Sequence, residues 1–229
     1  MSGPVKLKPR ISVNKLAEFA TAKSARQREI LRDQKYPTDY KGPYYREAEE
    51  AVARAIVSSL EDLAPVEKAI QILEQQNPDK IGTQRRILSN IDAMQSFLAM
   101  LDDIDLPGLP RLGAQTNVPK LIIHGVEISV RPEIILKGEG KSGAALCGAM
   151  KLHFPRTYTL TEEAAGLVSA ITNEWCKTHL DTNATVSGPY CCVVDIGAQK
   201  FYPGVKSTIA RMKDVSAACE NIAALWPTI

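Results

Sequence analysis

With 229 residues, 45% of them hydrophobic and 24% charged, the chain has the composition of a globular protein with a core of its own. The formal net charge of +2 is too small to indicate a nucleic-acid partner, so any such partner has to be argued from local clusters of charge. No apolar run approaches the roughly 20 residues of a membrane helix, and the basic N-terminus lacks the apolar segment of a signal peptide, which predicts a soluble, cytoplasmic protein without membrane contact.

The cysteines and histidines argue against a disulfide framework and against a structural zinc site. The five cysteines are an odd number and include no CxxC pair, which is typical of reduced, mostly buried thiols. The three histidines are scattered along the sequence, so zinc ligation by them is not expected.

The first part of the chain is predicted to begin with a loose arm and two helices. Residues 1–11 are basic and contain proline, and Ser12 is placed to cap a first short helix. Ser24 followed by Gln27 has the spacing of a capping box, which predicts that a second helix opens there and runs to about Lys35.

Three further helices are predicted before the middle of the chain. Helical periodicity predicts one within 45–63 and another that starts near Pro65. Asn77 followed by Pro78 has the pattern of a cap and a first-turn proline, which predicts a third helix that extends to about Asp103.

The second predicted helix is the most basic part of the chain. Helical spacing places several of its cations on or near one face. These cations are Arg26, Arg28, Arg32 and Lys35. Two interpretations stay open: a solvated surface balanced by Glu29 and Asp33, or a set of contacts to the phosphates of DNA or RNA.

A turn region rich in proline and glycine follows this helix and contains four tyrosines. They are Tyr36, Tyr40, Tyr44 and Tyr45. Exposed aromatic rings beside arginines stack on bases, whereas partly buried rings fasten a loop to the core. The second arrangement is the more common one.

Residues 104–118 hold two prolines and two glycines, which predicts a connector between two regions. Residues 1–106 are expected to form a helical N-terminal region, and residues 119–229 a sheet-bearing core. The helix of residues 78–103 is expected to pack on that sheet. The predicted fold class is α+β, with a small mixed sheet flanked by helices.

Two apolar strands joined by a basic, glycine-rich loop are predicted between residues 126 and 154. The first strand runs from Val126 past Glu133 without a break, and His124-Gly125 forms the tight turn in front of it. Alternation gives each strand one apolar face toward a core and a second face that carries the polar side chains.

This alternation also brings an acid and a base together. Glu133 on the first strand and Lys151 on the second are predicted to lie on the same side of neighbouring strands, and His153 shares the strand face of Lys151. The ordinary explanation of such a pair is a cross-strand salt bridge, worth up to about 1 kcal/mol. The alternative is that the pair belongs to a functional site.

The remainder of the chain alternates helix and strand. Thr161 is placed to cap a helix with two acids in its first turn. The run YCCVVDI predicts a buried strand, and a last helix is predicted from about Ser207 to Leu225.

The order helix, strand, strand, strand, helix, strand between about Ile81 and Ile196 resembles the core of the PD-(D/E)XK nuclease superfamily. Pro132-Glu133 stands where that family places Pro-Asp, and Ala149-Met150-Lys151 stands where it places an acid-x-Lys triplet. The opening ISVNKLAEF resembles the start of RecB-like members. The resemblance covers about half of the chain.

The resemblance implies chemistry on phosphodiesters. Family members hold Mg²⁺ with acids on two adjacent strands, and a lysine two residues after the second acid positions water or stabilises developing charge. Glu133 would then be the metal ligand and, with Lys151, a catalytic residue, while Ala149 replaces the second acid. The missing ligand would come from Glu139, Glu127 or a glutamate on the preceding helices.

A nucleotide-hydrolysing P-loop is the alternative to this interpretation. Gly140-Lys141-Ser142 imitates the end of such a loop and Asp195 its magnesium-binding strand, but Ile135 stands where the motif needs glycine. The basic loop, with Lys137 and Lys141, is still expected to lie close to the acid–lysine pair and to contact a phosphate backbone.

Two functions are therefore predicted. In the first, the chain binds nucleic acid and has weak Mg²⁺-dependent nuclease activity or none, within a defence or mobile-element system. In the second, the nuclease-like core is a non-catalytic structural or adaptor subunit, whose partner is another protein or a second copy of the chain.

Overall fold

A computed structural model describes residues 5–37, 44–114, 117–180 and 183–229. The α+β fold class is confirmed. The helices are α1 (Val13–Thr21), α2 (Ser24–Lys35), α3 (Arg46–Val57), α4 (Ala64–Glu74), α5 (Ile81–Leu98), α6 (Glu162–His179) and α7 (Ile209–Leu225). The strands are β1 (Arg10–Ser12), β2 (Leu109–Leu112), β3 (Leu121–Ile123), β4 (Val126–Ser129), β5 (Ile134–Glu139), β6 (Ala145–His153), β7 (Thr185–Val186), β8 (Val193–Asp195) and β9 (Lys200–Tyr202).

The strands form two sheets. The larger, six-stranded sheet has the order β2-β5-β6-β8-β9, with β7 pairing on β6. Its centre is the antiparallel pair β5–β6, followed by β8, which runs parallel to β6. Helix α6 lies between β6 and β8 in the chain, as expected for a crossover that joins parallel strands. The smaller, three-stranded sheet has the order β1-β4-β3.

The prediction of one continuous strand from Val126 past Glu133 is wrong. The chain forms β4, which pairs with β1 and β3 in the small sheet, and then β5, which pairs with β2 and β6 in the large one. At the break, Pro132 has no N–H to donate to a ladder and Arg131 has a φ of 35°. After this break, the start of β5, and with it Glu133, lies beside β6.

Helix starts are predicted correctly where a side-chain oxygen caps the helix. The hydroxyls of Ser12 and Thr161 accept from the third residue of α1 and α6, as expected. The capping box at Ser24 is wrong, because Ser24 is already helical and the Gln27 side-chain amide donates to the carbonyl of Phe19 on α1. This contact joins α2 to α1 and leaves the N-terminus of α2 without a side-chain cap.

The predicted bounds of the fifth helix are also wrong. It begins at Ile81, and the Asn77-Pro78 pair stays in the preceding loop, where the carbonyl of Pro78 accepts from the side chain of Gln84. It ends at Leu98, and only a single 3-10 turn, Leu101–Asp103, follows.

The turn before β4 is formed as predicted. His124 and Gly125 have φ values of 48° and 76°, which is the pair of positive φ angles that a two-residue type I′ hairpin requires. Glycine meets that requirement without strain, and the turn sets the register in which Ile123 faces Val126.

Both faces of the large sheet are buried. One hydrophobic cluster joins α1, α6 and α7 to the small sheet and to Ala149 on β6. The other joins α3, α4 and α5 to the opposite face, through residues such as Met94, Phe97, Ile134 and Met150. Each cluster takes residues from both 1–106 and 119–229. All five cysteines are buried.

In the described part of the chain, none of the helices combines the length and the apolarity that a membrane span would need.

Candidate functional site

The predicted acid–base pair is formed at the junction of β5 and β6. The register pairs Ile134 with Met150, so Glu133, just before β5, lies beside Lys151. The Lys151 ammonium donates to Glu133 Oε1 at 2.5 Å, and Glu133 Oε2 accepts from the backbone N–H of Leu152 at 2.8 Å. The prediction that these two side chains come together is confirmed.

The pair is far less exposed than an ordinary surface salt bridge. Glu133 is 5% exposed and Lys151 is 6% exposed. The ammonium also donates to the carbonyl of Arg131 at 2.9 Å, so each charge has two hydrogen-bond partners. Burial of two charges is tolerated only with such partners, because each loses its hydration shell.

A second carboxylate reaches the site from α3. Glu49 accepts from the guanidinium of Arg131 at 3.1 Å. Burial raises the pKa of Glu49 above its ordinary value of 4.5, and the negative charge of Glu133 raises it further, against the opposing effects of Arg131 and Lys151. Glu49 therefore lies close enough to interact electrostatically with both Glu133 and Lys151.

Among the glutamates of the preceding helices that the sequence left open as candidates, Glu49 lies near the pair. Of the other candidates, Glu127 lies on the small sheet and pairs with Lys120. Glu139 lies at the other end of β5, opposite Ala145. No spacing in the sequence selects Glu49, because its position depends on how α3 packs against the sheet.

Glu49, Glu133 and Lys151 line a cavity of about 600 Å³. Its walls come from α1, from the end of β6 and from the start of α3, including Lys15, Tyr45, Glu49, Glu133, Lys151 and His153. The volume lies in the range of small-ligand sites, and the lining mixes both signs of charge with aromatic rings.

His153 is held in one tautomer beside the pair. Its Nε2–H donates to the carbonyl of Tyr158 at 2.6 Å, which assigns the proton to that nitrogen. Burial lowers the pKa of His153, against the raising effects of the Tyr158 carbonyl and of Asp195. The imidazole is therefore neutral at pH 7, and its buried Nδ1 has no partner among the described residues.

Asp195 has a structural role that the sequence did not indicate. Its carboxylate is fully buried and accepts from the backbone N–H groups of Leu160 at 2.6 Å and Ala198 at 3.0 Å. These bonds tie the segment before α6 to the turn after β8, and they account for the buried charge without a bound nucleotide.

The described residues do not form a ready-made magnesium site. They contain no group of three histidine, cysteine, aspartate or glutamate side chains placed to hold a metal ion. Ala149 is buried and offers no oxygen, and both oxygens of Glu133 already accept hydrogen bonds. We therefore derive no chemical step through a metal.

Two of the predicted phosphate-binding cations on α2 are engaged inside the protein. The guanidinium of Arg26 pairs with Glu18 and Glu29 and lies 4.0 Å from the ring centre of Tyr158. The ammonium of Lys35 donates to the carbonyl of Trp226 at 2.8 Å. The other two side chains, those of Arg28 and Arg32, are exposed.

The expectation that the basic loop lies close to the pair is wrong. Glu139 pairs with Ala145 beside the loop, whereas Ile134 pairs with Met150 beside the site. At about 3.3 Å per residue, the loop with Lys141 is roughly 20 Å or more from Glu133. The antiparallel hairpin places its turn and its open end at opposite ends.

The other predicted cation of this segment borders a different cavity. Lys137 lines a space of about 770 Å³ with Leu60, Leu106 and Tyr190. This cavity is larger than the one at the pair, but its lining contains no buried charged side chain. We therefore place the candidate site at the pair.

The tyrosines are divided between the core and the surface. Tyr45 stacks on Phe154 with ring centres 5.4 Å apart, and Tyr44 meets Tyr45 edge-on. The hydroxyl of Tyr36 donates to the carbonyl of Ile229 at 3.3 Å. Tyr40 lies outside the described residues. Tyr45 thus fastens the start of α3 to the end of β6.

Comparison with protein-family models gives no match, and comparison with curated proteins gives none either.

Proposed function

We propose that the chain is a nucleic-acid-binding protein with a core like that of the PD-(D/E)XK nucleases, and with weak metal-dependent nuclease activity or none. The observation that supports this proposal is the Glu133–Lys151 pair. The spacing of Pro132-Glu133 and Ala149-Met150-Lys151 predicted it, and Glu133, just before β5, meets Lys151 on the neighbouring strand β6 at the wall of a cavity.

The proposed contacts to nucleic acid are electrostatic. Lys15 and Lys151 line the cavity, and α2 contributes Gln34 to the same lining. Arg28 and Arg32 are exposed on α2 and are free to meet phosphates further along a bound strand. Such contacts give affinity with little dependence on base sequence.

Cleavage is the weaker part of the proposal. Metal-dependent cleavage of a phosphodiester needs carboxylates that are free to bind the ion, and Glu133 and Glu49 are two of the acids that line the cavity. Ala149 removes one ligand, and Glu133 is already engaged by Lys151 and the Leu152 N–H. We therefore expect binding to be stronger and more general than cleavage.

The experiment is fluorescence anisotropy with labelled DNA and RNA oligonucleotides at a series of salt concentrations. We expect binding at low salt. The logarithm of the binding constant should fall linearly with the logarithm of the salt concentration. The double variant Arg28→Ala/Arg32→Ala should lower the slope by about 2. The matched control, Arg85→Ala/Arg111→Ala, removes equal charge from exposed sites elsewhere. Absence of binding at low salt would falsify the proposal.

Cleavage is tested with the same oligonucleotides in Mg²⁺ or Mn²⁺. Loss of product in both Glu133→Gln and Lys151→Met, at a temperature where circular dichroism shows that both variants are folded, and with product kept in the surface control Glu127→Gln, establishes a catalytic pair. Equal cleavage by all four proteins shows that the Glu133–Lys151 pair is not catalytic.

The adaptor function is the second candidate, and the fully bonded Glu133 carboxylate favours it. Both oxygens of Glu133 accept hydrogen bonds within the protein. Such an ion pair is consistent with a structural role in a scaffold. Size-exclusion chromatography with light scattering measures self-association directly. A stable dimer that binds no oligonucleotide would favour the adaptor.

A further inference from the structure

Arg131 adopts a backbone conformation that arginine rarely takes. Its φ is 35°, in the left-handed region that favours glycine, and it precedes Pro132, whose ring further restricts it. Such strained residues persist where the surrounding structure enforces them, and they are concentrated at functional sites. The strain lies at the break between β4 and β5, next to the Glu133–Lys151 pair.

The conformation lets one residue contact both Lys151 and Glu49. The main-chain carbonyl of Arg131 accepts from the Lys151 ammonium at 2.9 Å. Its guanidinium donates to Glu49 Oε1 at 3.1 Å. The backbone of Arg131 therefore holds the base of the site, and its side chain holds the second acid.

We infer that Arg131 is the positioning residue of the site. Its carbonyl and the Glu133 carboxylate take two of the three N–H groups of Lys151 and direct the third toward the cavity. Its guanidinium neutralises Glu49, which otherwise repels a phosphate. The positioning stands on these contacts, and its benefit to phosphate binding rests on the proposed function.

The backbone part is tested with Arg131→Gly and Arg131→Ala. Glycine adopts a φ of 35° without strain, so Arg131→Gly keeps the carbonyl in place, whereas alanine favours relaxation. We expect Arg131→Gly to melt about 2–4 °C higher than Arg131→Ala. At Arg111, on the edge strand β2, the same two substitutions should show the usual opposite order.

Lys151 reports the position of the carbonyl directly. Acetic anhydride labelling, read by peptide mass spectrometry with the exposed Lys137 as internal reference, measures how firmly the ammonium is held. We expect labelling of Lys151 to match the wild type in Arg131→Gly and to be about fivefold faster in Arg131→Ala, which corresponds to the lower end of the strain described. Equal melting temperatures and equal labelling in the two variants overturn the inference.

The side-chain part is tested by oligonucleotide affinity. We expect Arg131→Gly to bind about fivefold more weakly than the wild type, and Arg131→Lys, which keeps a cation beside Glu49, to recover most of the loss. Full affinity in Arg131→Gly overturns this part. Where the wild type binds no oligonucleotide, the proposed function fails, while melting and labelling still decide the positioning role.

Discussion

The Glu133 carboxylate and the Lys151 ammonium carry opposite charges in a place where water barely reaches. In such surroundings the loss of hydration opposes the attraction, so the pair adds little net stability compared with an apolar pair of the same size. The removal of one partner is different, because it leaves the other charge buried and unpaired. This asymmetry decides how substitutions at the site behave.

Glu133→Gln and Lys151→Met are each expected to lower the free energy of unfolding by about 3–5 kcal/mol. The double variant is expected to lose less than the sum of the two, because neither charge is left alone. Urea unfolding of all four proteins gives the coupling energy. The half-exposed pair Lys120–Glu127 is the control, since Lys120→Met should cost about 1 kcal/mol or less. Additive effects at Glu133 and Lys151 would contradict the buried pair.

Glu49 adds a pH dependence of definite sign. Since its pKa is raised in the folded protein, the folded state holds the proton more tightly than the unfolded chain. The cost of ionising it therefore appears as pH rises from about 4.5 and is complete above the folded pKa. Glu49→Gln removes this cost and the charge that pairs with Arg131, while its amide oxygen can still accept from the guanidinium.

The free energy of unfolding of Glu49→Gln, minus that of the wild type, is thus expected to increase with pH and then level off. Urea unfolding between pH 4 and 8 measures it, with Glu50→Gln, an exposed neighbour on α3, as the control for loss of charge. A difference that falls as pH rises would show that the effect of Arg131, which lowers the pKa of Glu49, is larger than the effect of burial, which raises it.

At the scale of elements, the sequence correctly predicted the helix caps and the hairpin turn, which depend on neighbouring residues. Ser12 and Thr161 cap their helices, and His124-Gly125 forms its turn, because the residues that make these structures are neighbours in sequence. Alternation along one strand predicted the Glu133–Lys151 pair; the strand is broken at Arg131, and the pair forms because the β5–β6 register places Glu133 beside Lys151.

Long-range packing explains what was missed. The side chain of Gln27 looked like part of a cap but bonds to another helix. The break at Arg131 needs a φ that only the surrounding contacts enforce. Glu49 reaches the site because α3 packs on the opposite side of the sheet from α1, which no spacing along the chain encodes.

Two glycines with open space around them test the role of the turn. Gly125 and Gly82 would each accept a Cβ without a contact inside 4 Å. Gly125→Ala is expected to cost about 1 kcal/mol because of its positive φ, whereas Gly82→Ala, within α5, is expected to stabilise by up to about 1 kcal/mol. Thermal unfolding of both variants compares them. The same sign for both would show that backbone conformation does not control the turn.

At the scale of the whole molecule, the sheet is a partition between two hydrophobic clusters. Phe19 and Ile11 belong to one, and Ile56 and Phe97 belong to the other, and all four come from the N-terminal part. Helix α5 joins the cluster on the β5–β6 hairpin, as predicted. The boundary between 106 and 119 therefore separates two regions of sequence that share both cores.

A chain of residues 119–229 alone is expected not to fold, because the sheet face that packs on α3, α4 and α5 would be exposed to water and the other face would lose α1. About 25 cal/mol is lost for each Å² of apolar surface left uncovered, and neither cluster can close without the N-terminal helices. Circular dichroism during urea unfolding should show no cooperative transition for this fragment, whereas the full chain unfolds in one. Mixing fragments 1–118 and 119–229 should restore the transition, because the missing surface is supplied in trans. A cooperative transition in 119–229 by itself would mean that the sheet-bearing region is an independent domain and that it folds without the N-terminal helices.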